Sequence, residues 1–140
     1  MPPARSLLTA RSLLTARGRT PMNDPGALDA CMKTLDDAAD PLHNDRTPAV
    51  QCLVEIGPRA LPSLFAPLAA ADSMTRLHAQ RAVEGITRRM QGFDGREWKT
   101  GTADDWIAWW EKIGYAYDAP ADARVAAIER LRTWVNAHGR

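Results

Sequence analysis

Apolar residues in the middle of the chain recur with the spacing of helix faces in three consecutive runs. A helix advances about 100° per residue, so residues three and four apart share a face. The three faces contain Val50, Leu53 and Val54; Leu61, Leu64, Phe65 and Leu68; and Ala79, Ala82, Val83, Ile86 and Met90. Very short connections, at 57–58 and 72–73, force neighbouring helices to pack antiparallel. We expect the core between these helices to be centred on Leu53, Leu64, Val83 and Ile86.

Capping and turn residues predict a further helix before these runs. It is expected to end near residues 40–41, and its apolar face contains Leu28, Cys31, Met32 and Leu35. Thr47, followed by Pro48, has the features of a helix N-cap. Asp72 or Ser73 is expected to cap the longer helix that runs to about residue 90.

Two more helices are predicted towards the C-terminus. Thr102 and Asp105 have the spacing of a capping box, and Gly114 is well placed to end the same helix. Residues 91–101, which contain three glycines, are expected to form the longest irregular connection. A last helix is expected from about 121 to 137, with its inward face formed by Val125, Ile128, Leu131 and Val135.

Tryptophan is the one compositional excess, and all five tryptophans lie in the final third of the chain, at positions 98, 106, 109, 110 and 134. Trp106, Trp109 and Trp110 recur on one helix face, which is most simply a seam packed against the preceding helices. We expect Trp106 to be the deepest ring and one of the other two to be partly exposed. The alternative is that two partly exposed rings anchor a binding partner, because aromatic residues dominate interface hot spots.

Charge is unevenly distributed along the chain, although its net value is only +1. Residues 1–21 contain four arginines and no acidic residue, so residues 22–140 carry a net charge of −3. This disfavours nucleic-acid binding, which requires clustered positive charge. The densest basic run, with Arg76, Arg81, Arg88 and Arg89, is interpreted as a solvated helix face. The candidate interaction surface comprises Trp98, Trp109, Trp110, Arg81 and Arg88.

No residue pattern predicts catalysis, a cofactor or a metal. His43, His78 and His138 have no second ligand one helix turn away, and nucleophile-elbow, Walker and dinucleotide-binding motifs are missing. The acidic pairs at 36–37 and 104–105 are interpreted as structural, because adjacent helical residues diverge by about 100°. Cys31 and Cys52 lack a C-x-x-C spacing and are interpreted as small buried hydrophobes, with neither a disulfide nor a metal site indicated.

The N-terminal segment differs from the rest of the chain. The hexapeptide R-S-L-L-T-A occurs twice in tandem, at 5–10 and 11–16, and is too short to be a folding repeat. Residues 1–21 are expected to be a disordered extension, and residues 22–140 a single helical domain that begins with Asp24 as cap. The sequence predicts no membrane span, and we expect a cytoplasmic protein.

Two segments resemble the bacterial HEAT-like repeat family in the order of their residues. They are A-V-Q-C-L-V-E-I-G-P-R-A-L-P-S-L-F-A-P-L at 49–68 and D-S-M-T-R-L-H-A-Q-R-A-V-E-G-I at 72–86. Residues 92–114, with D-W-x-x-W-W-E-K, resemble the Trp-rich end segments that follow such repeats in some bacterial proteins. The resemblance implies an all-α fold: a short HEAT-like α-solenoid of antiparallel helix pairs with a C-terminal helical cap.

The expected function is a noncatalytic protein-protein interaction or scaffold module whose partner is another protein. The alternative is a phycobilin-lyase-like or chaperone protein that attaches chromophores, because some HEAT-like proteins with this repeat pattern do so; His78 and Trp98 would be the candidate lining residues. A third class, the HEAT-fold DNA glycosylases, has basic concave surfaces and fits the acidic body of this chain poorly.

Overall fold

The computed structural model describes residues 25–138, and within this range the regular structure is helical, which confirms the predicted all-α fold. The helices are α1 (Pro25–Lys33), α2 (Pro48–Ile56), α3 (Leu61–Leu68), α4 (Ser73–Met90), α5 (Thr102–Ile113) and α6 (Ala121–His138). A 3-10 turn, Pro58–Ala60, joins α2 to α3. The predicted N-terminal extension, its duplicated hexapeptide and the Asp24 cap lie outside the described residues.

Local capping explains where several helices begin and end. The Thr47 hydroxyl accepts a hydrogen bond from the Val50 amide (3.1 Å), and the Asp72 carboxylate accepts one from the Thr75 amide (3.0 Å), as predicted. Gly114 ends α5 in the left-handed conformation, with φ of 75°, which also confirms its prediction.

The capping box predicted at Thr102 is wrong. Thr102 is already the first residue of α5, so its side chain is placed one residue too late to cap the helix. Its hydroxyl instead donates to the carbonyl of Lys99, over 2.6 Å. The preceding residue, Gly101, has a φ of 82° and no side chain that could accept from the first turn.

Helix α4 forms the centre of the core. It packs against α2 and α3, while α1 packs on α2, and α6 packs on α3 and α5. The four residues predicted to form the core are confirmed, with exposed fractions of 0–1%: Leu53, Leu64, Val83 and Ile86. Their burial accounts for the helical periodicity of the sequence.

The inward face of α6 is shorter than predicted. Ile128, Leu131 and Val135 are buried, but Val125 is 58% exposed. Val125 lies in the first turns of α6, where it lines the rim of an open groove that α6 forms with α3. Nothing among the described residues covers it there.

The longest irregular connection is residues 34–47, not 91–101, because α1 ends at Lys33 rather than near residue 40. Side chains of α4 hold this connector. Asp36 accepts a hydrogen bond from the Thr75 hydroxyl (2.6 Å) and pairs with Nδ1 of His78 (2.6 Å), whose Nε2 donates to the carbonyl of Asn44 (2.8 Å). The acidic pair at 36–37 therefore has a structural role through Asp36.

The loop between α5 and α6 is held by the same helix. Arg76, only 9% exposed, donates from Nε to the carbonyl of Tyr117, over 2.8 Å. The side-chain oxygen of Gln80 accepts from the Tyr117 amide, over 2.9 Å. The Tyr115 hydroxyl donates to the carbonyl of Leu68 over 2.7 Å, and burial raises the pKa of Tyr115 to about 12.

The interpretation of the two cysteines as free buried hydrophobes is wrong. Cys31 of α1 and Cys52 of α2 form a disulfide, with their Cα atoms 6.4 Å apart, and both residues are half-buried. The distance is in the range that a disulfide requires. The two helices pack side by side, which brings together residues separated by 21 positions in the sequence.

Candidate interaction surface

Seven aromatic rings form a continuous series of contacts across the C-terminal part of the chain. We call this series the aromatic strip, and its members in spatial order are Phe93, Trp98, Trp106, Trp110, Trp109, Trp134 and His138. Centroids of neighbouring rings are between 4.7 and 6.2 Å apart. These spacings are typical of favourable aromatic pairs. The strip therefore includes every tryptophan of the sequence.

Trp106 is the deepest member of the strip that lies on α5, as predicted. It is 5% exposed, and its indole N–H donates to the hydroxyl of Thr87 over 3.0 Å. That hydroxyl, fully buried, in turn donates to the carbonyl of Val83. The Arg88 guanidinium lies 4.4 Å from the Trp106 ring centroid, a cation–π distance. Two residues of α4 thus hold the ring, Thr87 at its N–H group and Arg88 over the ring.

One of Trp109 and Trp110 was predicted to be partly exposed, and in the structure both of them are. Both are half-buried, as are Trp98 and Trp134. These rings contact one another, with Trp109 at 4.7 Å from Trp134 and Trp110 stacked at 5.9 Å on Trp106. Trp109, Trp110 and Trp134 also pack against the hydrophobic core. This face of α5 is therefore buried at Trp106 and partly exposed at Trp109 and Trp110.

The interpretation of the α4 arginines as a solvated face is wrong for two of them. Arg76 is buried and also donates to the carbonyls of Ala70 and Ala71. Arg81 is half-buried, and it pairs with Asp45 (2.6 Å) and Glu84 (2.9 Å). The contacts of Arg76, and that of Arg81 with Asp45, form because the segments before and after α4 fold back onto it, whereas Glu84 lies three residues after Arg81 on α4 itself.

The Arg81 pairs perturb the titration of the groups involved. The hydrogen bond from Arg81 lowers the pKa of Asp45. Burial alone would lower the pKa of Arg81, but the hydrogen bond to Asp45 and the charge of Glu84 outweigh it and raise this pKa. Two carboxylates thus compensate the charge of Arg81, so this residue does not present a free cation.

A cleft of about 410 Å³ lies between α2 and α4, closed at one end by the 91–101 loop. We call it the basic cleft. Its apolar floor is formed by Val50, Val54 and Gly85; the residues that surround this floor are Arg46, Arg81, Arg88, Arg89 and Phe93, with Thr47, Gln51 and Gly95. Arg88 and Phe93 belong to the cleft and also contact the aromatic strip, so the two features are continuous.

Gly85 determines how closely the two helices that form the cleft approach. A Cβ atom at this position would lie 2.5 Å from Cγ2 of Val54. Arg81 and Arg88 were predicted from the sequence as part of an interaction surface, whereas Arg46, Arg89, Phe93 and the cleft itself were not. The glycine inside the apolar run of α4 was the available signal, because an interior helical glycine often marks a close approach.

The positive charge of the cleft comes from three arginines. Among residues 25–138, no carboxylate forms an ion pair with Arg46, Arg88 or Arg89. The nearby carboxylate of Asp94 accepts hydrogen bonds from the amides of residues 96 and 97 instead (both 2.8 Å), and these bonds lower the pKa of Asp94. The same bonds order the loop that carries Phe93.

His138 belongs to the aromatic strip, whereas His78 lies apart from it. Both ring nitrogens of His78 are engaged by the connector, and the side chain is 2% exposed, so it does not line a cavity with Trp98. In the part of the chain that the structure describes, no three His, Cys, Asp or Glu side chains are grouped to hold a metal ion. No helix in this part is long and apolar enough to cross a membrane.

The site as a whole offers arginine donors, an apolar floor and a run of half-buried indoles. Such groups can bind and orient a ligand. Comparison of the chain with protein-family models, with curated proteins and with solved structures finds no match to any of them.

Proposed function

We propose that this protein is a noncatalytic interaction module that binds another protein through its aromatic strip. The observation that carries the proposal is the continuity of the strip, in which four of the five tryptophans are half-buried and each contacts at least one other ring. Tryptophan is enriched at interface hot spots because it buries a large area at a low cost in side-chain entropy. An accessible run of indoles is therefore well suited to contact a protein partner.

The architecture that we propose for this module is a short HEAT-like α-solenoid, in which α5 and α6 form the terminal cap. Two features support it: α4 packs on both α2 and α3, and α6 packs on α3. In a solenoid each unit contacts its neighbours, and the last unit needs a helix with a polar outer face. Solenoids commonly present binding surfaces, which agrees with the proposed role.

Photo-crosslinking in the native host tests the proposed function. The photoreactive amino acid benzoylphenylalanine is placed at Trp110 in one variant and at Ala108 in the other. Ala108 is exposed on the same helix, and about 160° around the helix axis separates it from position 110. We expect one protein to be captured at position 110 and not at 108. Equal capture at both positions, or none at 110, would contradict the proposal.

The disulfide indicates the kind of cellular compartment in which this protein is found. Disulfides persist in oxidising compartments and are rare in the cytosol, so the Cys31–Cys52 bond conflicts with the cytoplasmic location expected from the sequence. We propose an oxidising compartment instead. Thiol trapping with a polyethylene-glycol maleimide in acid-quenched host cells distinguishes the two: the cytoplasmic protein would gain two adducts, and the oxidised protein none.

A further inference from the structure

We propose that the basic cleft binds an extended acidic segment of the partner protein. The proposal rests on the proposed function and names the chemistry of the partner: two or more Asp or Glu side chains next to an apolar one. The aromatic strip would then contact the part of the partner that follows this segment, because Arg88 and Phe93 join the two surfaces.

The dimensions of the cleft fit a short peptide. Its arginines on α4 extend from Arg81 to Arg89, which is about 12 Å along the axis at 1.5 Å per residue. An extended chain advances about 3.3 Å per residue, so about four residues span this length. Val50 and Val54 lie one helical turn apart on α2 and form the apolar floor of the cleft beneath such a peptide.

The charge of the cleft favours a carboxylate-bearing ligand. Arg46, Arg88 and Arg89 have no ion-pair partner among residues 25–138, whereas Arg81 is already paired. Guanidinium groups form bidentate hydrogen bonds with carboxylates. The charges of Arg46 and Arg89 act on the neighbouring carboxylates of Asp45 and Asp94 without a close ion pair. Three arginines around an apolar floor therefore keep hydrogen-bond donors for an acidic segment with an apolar side chain at its centre.

The part of the cleft formed by the end of α4 and the 91–101 loop is held in place before any ligand arrives. Arg88 lies over the Trp106 ring, and the guanidinium of Arg89 packs against Gly95, where a Cβ atom would be only 3.2 Å from Nη2. Phe93 packs on Trp98 at 5.2 Å. A site that is ordered in advance loses less conformational entropy when it binds its ligand.

A nucleic acid fits these observations less well than a peptide does. Tight nucleic-acid binding requires many phosphate contacts along a basic surface. The basic cleft is only about 12 Å long, and residues 22–140 as a whole have a net charge of −3. Two buried valines in the floor are suited to an apolar side chain rather than to a sugar-phosphate backbone.

Fluorescence anisotropy with the oxidised full-length protein tests the proposal. The ligand is a fluorescein-labelled hexapeptide with four glutamates around a central pair of leucines. The control peptide has glutamine in place of each glutamate, and a 20-nucleotide single-stranded DNA serves as competitor. We expect the glutamate peptide to bind at least tenfold more tightly than the glutamine peptide, and binding to weaken as NaCl rises from 50 to 500 mM.

Variants locate the binding. Arg46→Gln and Arg89→Gln each remove an exposed cleft charge, and each should weaken binding of the glutamate peptide about two- to fivefold. Arg96→Gln is the matched control, because Arg96 is exposed in the same loop as Phe93 but does not line the cleft. It should leave binding unchanged. Methyl NMR signals of Val50 and Val54 should shift on addition of the peptide.

Three results would overturn the proposal: equal binding of the two peptides, equal effects of Arg96→Gln and Arg89→Gln, or displacement of the peptide by DNA at lower concentration than by unlabelled peptide. None of these involves position 110. Crosslinking at position 110 is measured in the Arg46→Gln/Arg89→Gln double variant as well. If it persists there and one of the three results above is also found, the acidic ligand of the cleft is rejected while the proposed interaction function stands. Absence of crosslinking at position 110 in the protein that carries no cleft substitution would reject the interaction function itself.

Discussion

Replacing Gly85 by alanine tests the close packing of α2 and α4 that forms the floor of the cleft. The new methyl group would lie 2.5 Å from Cγ2 and 3.3 Å from Cγ1 of Val54. Val54 is β-branched and has few rotamers into which it can retreat. The contact should therefore be relieved by movement of the two helices rather than of one side chain.

Two opposing effects set the magnitude. Alanine is about 1 kcal/mol more favourable than glycine inside a helix, whereas overpacking a core typically costs about 1–3 kcal/mol. Because both methyl groups of Val54 are too close, we expect the overpacking to prevail and the free energy of unfolding to fall by about 1 kcal/mol. For a protein of this size, that lowers the urea midpoint by about 0.7 M.

A double-mutant cycle makes the test specific. Val54→Ala removes the two clashing methyl groups, and by itself it should cost about 2 kcal/mol in lost burial. In that background Gly85→Ala should be neutral or stabilising by up to about 1 kcal/mol, because only the helix propensity remains. Val50→Ala is the matched control, one turn earlier on α2, and in that background Gly85→Ala should still destabilise.

The measurement is urea unfolding of the oxidised protein, followed by far-UV circular dichroism. The coupling energy between positions 54 and 85 should be about 1–2 kcal/mol, in the range observed for residues in contact. An increase of the midpoint by Gly85→Ala alone would refute the reasoning. So would an equal effect of Gly85→Ala in the Val54→Ala and Val50→Ala backgrounds.

Three further predictions follow from contacts described above. The pKa of Tyr115 is raised to about 12 in the folded state, so the stabilisation from its protonated hydroxyl is complete below pH 10. The free energy of unfolding should fall by about 2–3 kcal/mol as the pH rises from 10 to 12, and Tyr115→Phe should flatten this alkaline limb of a stability-against-pH curve. Reduction of the bond between Cys31 and Cys52 should lower the free energy of unfolding by about 3 kcal/mol, as expected for a loop of this length, and a Cys31→Ser/Cys52→Ser variant should no longer respond to dithiothreitol in thermal melts. In single-tryptophan variants, iodide should quench Trp110 fluorescence several times more strongly than Trp106 fluorescence, and equal quenching would contradict the assigned burial.

The parts of the fold that the sequence predicted are those set by local patterns. The burial of Leu53 and Val83 follows from apolar spacing within single helices, and the Thr47 cap follows from residues that are adjacent in the chain. These signals are short-range, so one sequence suffices to interpret them. The same holds for Gly114, whose left-handed conformation L-residues with side chains rarely adopt.

The features that the sequence did not predict depend on segments meeting in space. Pairing of Cys31 with Cys52 requires that α1 pack against α2, and the sequence separation of the two cysteines does not predict that contact. The cleft likewise requires Arg46 of the connector to approach Arg89 of α4. For the aromatic residues, helical periodicity identified the deepest ring, Trp106, but it could not show that the other rings would form one series of contacts with it.

The anchoring of both flanks to α4 has a consequence for how the molecule opens. The connector before α2 is held by one set of α4 side chains, and the loop before α6 by another, which includes Arg76 and Gln80. Each flank can therefore detach without the other, as two separate local openings. In amide hydrogen exchange, the centre of α4 around Val83 should exchange only through global unfolding. Reduction of the disulfide should accelerate exchange in α1 while leaving α6 protected.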